Sequence, residues 1–125
     1  MTETKNLSEN PENTGVFSKK HLLKTFMNKE ESAKSLLAVF LERTTKQLEE
    51  MSDLIENQNW EEVYRTAHMI RGSVTTLSGM ELGQAAGRIE NAFKQKKTGE
   101  MAAAFPFVLE AFHRFKAAAE EYIHE

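Results

Sequence analysis

The chain has no cysteine. Disulfide scaffolds, thiol catalysis and zinc–thiolate centres are therefore excluded, and the absence fits a reducing compartment. Proline and glycine are sparse, at two and six residues, and runs that alternate apolar and polar residues are missing, which leaves little for strands and hairpins. No apolar run approaches the roughly 18–20 residues needed to cross a bilayer, so no membrane role is expected. The opening stretch, MTETKNLSENPENTG, has no apolar core and does not read as a secretory signal; a cytoplasmic protein is expected. The net charge of −3 argues against a general nucleic-acid binder but leaves room for a locally basic docking face. No glycine-rich phosphate loop is present, so ATP binding and self-phosphorylation are not expected.

What remains is helix. At 125 residues and 40 % hydrophobic, the chain can bury a single core. Residues 1–15 are polar and hold Pro11 and Gly15, and read as a flexible tail; residues 16–125 read as one helical domain. A short helix is predicted over about 18–27, with Ser18 as N-cap. A second is predicted over about 29–57, with Asn28 and Glu31 at capping-box spacing and Leu36, Leu37, Phe40, Leu41, Leu48, Met51, Leu54 and Ile55 in one stripe. A third starts at Asn59, with Glu62 completing the same spacing and a stripe of Val63, Ala67, Ile70, Val74 and Leu77. A fourth covers about 80–96, with Leu82, Ala85, Ala86, Ile89 and Phe93 inward. A fifth covers about 99–123, with Thr98 as its cap. Pro106 falls inside it, which predicts a bend near 102–106 or a late start. The links are short, so neighbours should be antiparallel. The fold expected is all-α, an up-down antiparallel four-helix bundle with a short extra N-terminal helix. Phe105, Phe107, Phe112, Phe115 and the methionines read as core.

The stretch AHMIRGSVT, residues 67–75, breaks helix logic. A glycine in a helix interior costs about 1 kcal/mol relative to alanine, and Val74, Thr75 and Thr76 are weak helix formers. At about 100° per residue, His68 lies roughly 140° from the mean direction of the third helix's stripe, Thr75 about 120° and Gly72 about 180°, while Tyr64 and Arg71 lie at its border. His68 therefore faces solvent, with Gly72 one turn above it and Arg71 and Tyr64 beside it. Two readings stand at this point. An exposed histidine is ordinary, and Gly72 can serve close helix packing; or a bare Gly72 gives another molecule clearance to reach the imidazole.

The run Ala67-His68-Met69-Ile70-Arg71-Gly72-Ser73-Val74-Thr75-Thr76-Leu77 resembles the signature of histidine-containing phosphotransfer (HPt) domains. His68, Gly72, Ser73 and Leu77 match at the right offsets, as do Leu82 and Ile89-Glu90 on the following helix. FSKKHLLKTFMNKEESAKSLLAVFLE is similar to the family's N-terminal part, and the resemblance covers about residues 17–118. The usual lysine is Arg71 here, which keeps charge but changes reach and hydrogen-bond geometry. Val74 stands at a usually small position, and Ser78 at a usual glycine, with Gly79 one place later.

The resemblance implies a phosphorelay carrier. His68 would accept a phosphoryl group and exchange it with an aspartate of a response-regulator receiver domain, in a pathway fed by a hybrid sensor histidine kinase. Imidazole offers a neutral nitrogen nucleophile within reach of neutral pH, and its N-phosphate is labile enough to hand on. Arg71 would stabilise phosphoryl charge, Gly72 would admit the partner, and Glu90 matches a position from which the family orients the ring. Glu90 reads equally as a surface group or a pair for Arg88 or Lys94. Tyr64, Arg65, Thr75 and parts of helix 29–57 would frame the docking surface, although Tyr64 also reads as a core-edge residue. No cofactor and no metal are expected on this chain; the magnesium of such transfers belongs to the receiver. His21, His113 and His124 show no metal-ligand spacing and read as surface residues. A monomer with no autonomous kinase activity is expected. The competing readings are a receiver-binding adaptor that carries no phosphate and a structural helical-bundle interaction module.

Overall fold

The computed structural model describes residues 15–125, so the tail expected over residues 1–15 lies, apart from Gly15, outside the described residues. Among these, all regular structure is helical: α1 (Lys19–Thr25), α2 (Glu30–Glu56), α3 (Trp60–Thr76), α4 (Met80–Lys94) and α5 (Thr98–Ile123). Helices α2 to α5 form the bundle. The most extensive interfaces join α3 to α4 and α4 to α5, and α2 closes the ring against α3 and α5.

Helix lengths decide where α1 goes. α2 and α5 have 27 and 26 residues, α3 and α4 only 17 and 15. At about 1.5 Å per residue, the first half of α2 and the second half of α5 run past the end of the α3–α4 hairpin. α1 and Phe17 cover that overhang. Leu22 is fully buried, and the Phe17 ring meets those of Phe115 at 5.8 Å and Tyr122 at 5.9 Å. Phe115 also meets Phe40 edge-on at 5.6 Å, an arrangement that aromatic quadrupoles favour.

The α3 stripe of Val63, Ala67, Ile70, Val74 and Leu77 is buried throughout, as are Leu82, Ala85, Ala86 and Ile89 of α4. Elsewhere the periodicity overreached. Leu36 is exposed, and so is Phe107, whose ring lies under the Arg88 guanidinium instead of in the core. Met51 and Met101 are buried, but Met27, Met69 and Met80 face solvent. α5 starts at Thr98 and continues through Pro106, so the late start allowed for in the sequence does not occur. Pro106 is on the solvent side, where the hydrogen bond it cannot donate is missed least.

Three of the four links between helices share one form. α2, α3 and α4 each end in a Schellman turn. In these turns Asn59 N–H donates to Leu54 O at 2.8 Å, Gly79 to Val74 O at 3.0 Å and Lys97 to Ala92 O at 2.8 Å. The residue before each, Gln58, Ser78 or Lys96, takes a positive φ of 57°, 68° or 61°. The donor is at once the N-cap of the next helix, which turns the chain back antiparallel. The capping expectations are corrected accordingly. Asn28 (φ 62°) closes α1, and the N-cap of α2 is Lys29; Asn59 holds its N-cap position without a side-chain bond; Thr98 lies inside α5, capped by Lys97. Ser18 does cap α1, its hydroxyl accepting from His21 N–H at 3.1 Å. At α4 the cap is Gly79, which has no side chain to offer, and the Gly15 carbonyl accepts from Glu81 N–H at 2.7 Å.

Candidate functional site

The site is built on the α3–α4 hairpin. His68 stands on the outer face of α3 with its side chain 58 % exposed. Its Nδ1 lies 2.6 Å from Oε2 of Glu90, a residue of α4 that is only 3 % exposed. The other oxygen of the same carboxylate accepts from Arg71 Nε, and Arg71 Nη2 donates to Oε2 at 3.3 Å. One buried carboxylate thus gathers the imidazole and the guanidinium from successive turns of α3. Its partners are not Arg88 or Lys94, and it is not a surface group.

Burial pushes the Glu90 carboxyl up, but hydrogen bonds from Arg71 and His68 outweigh that and hold it below the usual carboxylate range. Glu90 is therefore an anion at neutral pH and can only accept hydrogen bonds. Nδ1 of His68 must then carry a proton, which leaves Nε2 as the nucleophilic nitrogen of the neutral ring. The Arg71 guanidinium is raised in turn by Glu90. Its Nη1 takes no part in the pairing.

The stem of Arg71 reaches Glu90 across two glycines of α4. A Cβ on Gly87 would lie 3.5 Å from Arg71 Cδ, and one on Gly83 would lie 4.0 Å from Arg71 Cγ. The sequence reading assigned neither. Their signal was there: two glycines one turn apart in a helix, where each costs stability. Beside them an open groove of about 1150 Å³ runs along α4 from Arg71 and Glu90 to Met80.

The His68 ring has aromatic company. Tyr64, one turn earlier on α3, stacks on it with centroids 6.0 Å apart and planes 18° from parallel. Phe93 of α4 in turn stacks on Tyr64 at 4.7 Å and 21°. Gly72 faces open space, with nothing within 4 Å of where its Cβ would be, so helix packing does not require this glycine. Arg65 and Thr75 stay apart from the cluster. Arg65 bonds Glu62 at 3.0 Å and Glu61 at 3.1 Å on its own helix, and the Thr75 hydroxyl donates to Arg71 O at 2.8 Å. Both are exposed. Among the described residues, no group of three or more His, Asp or Glu side chains is placed to hold a metal ion, and no helix is long and apolar enough to cross a membrane.

The model of the Hpt domain family matches residues 35–122, from the second turn of α2 to the last turn of α5. The chain belongs to the Hpt domain family. Comparison with curated proteins and with solved structures finds no match. Membership in the family implies histidine phosphotransfer in phosphorelay signalling, with receiver domains as partners. The match spans the α3–α4 hairpin that carries His68, Arg71 and Glu90.

Proposed function

We propose that this Hpt domain carries a phosphoryl group on Nε2 of His68, between the receiver domain of a hybrid sensor kinase and that of a response regulator in the cytoplasm. One observation carries the reading: an exposed imidazole whose Nδ1 is held by a buried, ionised Glu90, one helical turn from Gly72, where a Cβ would meet nothing within 4 Å.

The lone pair on Nε2 attacks phosphorus of the partner's aspartyl phosphate. A P–N bond forms, the P–O bond breaks, and its electron pair leaves with the aspartate carboxylate. The ring gains positive charge as it loses that lone pair, and the Glu90 anion against Nδ1–H stabilises it. Arg71, half exposed, supplies guanidinium charge beside the ring for phosphoryl oxygens. Gly72 lets the receiver's acidic pocket approach. The reverse sequence hands the group on. The chain takes its phosphoryl group ready-made and spends no ATP, and any magnesium is the receiver's.

The test is transfer from phosphorylated receiver domains, with magnesium, to this chain and to His68→Gln. Label that is acid-labile, alkali-stable and absent from His68→Gln is expected. Receiver binding with no label on the wild-type chain would replace the carrier by an adaptor.

A further inference from the structure

A single hydrogen bond does not orient a ring. The bond from Nδ1 to Glu90 fixes one direction in the imidazole plane but leaves the plane free to turn about that bond, and the histidine χ2 torsion is broad. His68 is more than half exposed, so core packing does not supply the missing restraint. The face of Tyr64 does. It lies nearly parallel to the imidazole, at a spacing within the range of offset stacking. Tyr64 is itself backed by Phe93, three residues after Glu90, so α4 delivers both the hydrogen-bonding carboxylate and the support for the stack.

We propose that Tyr64, braced by Phe93, is a positioning residue that sets the plane of the His68 ring and so the direction of the Nε2 lone pair. The inference rests on the reading of His68 as the phosphoacceptor. It differs from a docking role for Tyr64, because a positioning residue acts whatever the size of the phosphoryl donor.

Phosphoramidate separates the two. In this reaction Nε2 forms the P–N bond, the donor's own P–N bond breaks, and ammonia leaves with that electron pair while Nδ1 keeps its proton against Glu90. No partner protein is involved. Tyr64→Leu should slow phosphorylation of His68 by phosphoramidate about tenfold, well inside the roughly 100-fold that a misplacement of about 1 Å can cost. Tyr64→Phe should restore the wild-type rate. In NMR spectra the His68 ring protons should lie upfield in the wild type and Tyr64→Phe and move downfield in Tyr64→Leu. Phe93→Leu, which leaves Tyr64 in place but unbraced, should fall between them and serves if Tyr64→Leu does not fold. Folded Tyr64→Leu that reacts with phosphoramidate at the wild-type rate overturns the proposal, and a loss confined to transfer from receivers would make Tyr64 a docking residue. A wild-type chain inert to phosphoramidate would overturn the phosphoacceptor reading itself, while its ring-proton shifts would still report the stack.

Discussion

Oε2 of Glu90 sits 2.6 Å from Nδ1 of His68, joining a buried anion on α4 to an exposed ring on α3. The same carboxylate holds Arg71. Removing it should therefore disturb two groups at once. Glu90→Ala is expected to slow transfer to or from a receiver by about tenfold or more, the scale on which partners behind a functional imidazole act. Glu90→Gln should lose less, because an amide oxygen can still accept from Nδ1. Rates for both with one phosphorylated receiver check this, and an alanine variant as fast as wild type would remove Glu90 from the site.

The depressed Glu90 carboxyl also predicts how stability depends on acid. A carboxyl whose native pKa lies below its unfolded value, about 4.3 for glutamate, contributes stability above that value. The contribution is lost as pH falls through the native pKa. The melting-temperature difference between the wild type and Glu90→Gln should therefore shift against the wild type as pH falls below about 4.3. A difference that stays flat down to pH 3 would show that Glu90 is not held below the usual range.

The bare position at Gly72 separates folding from function. A Cβ there meets nothing within 4 Å, and alanine is the better helix former by about 1 kcal/mol. Gly72→Ala should raise stability by roughly 0.5–1 kcal/mol. Gly72→Leu should keep the fold and its reaction with phosphoramidate but cut transfer from a receiver, which must come close. Denaturant melts and the two phosphorylation assays test this together. Wild-type transfer by Gly72→Leu would end the clearance argument.

How much of this could be read from the chain depends on what each feature needs. The outward direction of His68 and the inward stripe of α3 follow from the 3.6-residue period alone, because both are properties of one helix. The role of Glu90 is not. It follows Ile89 on α4, and only the packing of α4 on α3 decides that its carboxylate ends beneath His68 and Arg71. The bed that Gly83 and Gly87 make for the Arg71 stem is likewise tertiary, although their spacing was visible. Tyr64 could be set at the edge of the core, but its stack needs Phe93 from the neighbouring helix. Capping was misread for another reason. Asn28 with Glu31 has capping-box spacing, but Asn28 at φ 62° is spent closing α1. Leu36 and Phe107 match apolar periodicity and are nonetheless exposed, since a stripe can be wider than the partner that covers it.

The turn between α3 and α4 gives the last prediction, because two adjacent residues there divide tasks that one glycine is usually asked to do. Ser78 holds the left-handed conformation at φ 68°, which costs an L-residue roughly 1–2 kcal/mol. Gly79 does not need a glycine's φ, at −104°. It needs the space: a Cβ would lie 2.3 Å from Val74 Cγ2 and 2.9 Å from the Phe115 ring. Ser78→Gly should therefore stabilise the domain by up to about 1 kcal/mol, the relief of the left-handed strain less the added freedom of the unfolded chain. Gly79→Ala should destabilise it by about 1–3 kcal/mol through overpacking. Chemical denaturation of the two variants decides the matter. If instead Gly79→Ala were neutral and Ser78→Gly destabilising, the turn would not have the form described, and the angle at which the hairpin presents His68 to Glu90 would have to be set elsewhere.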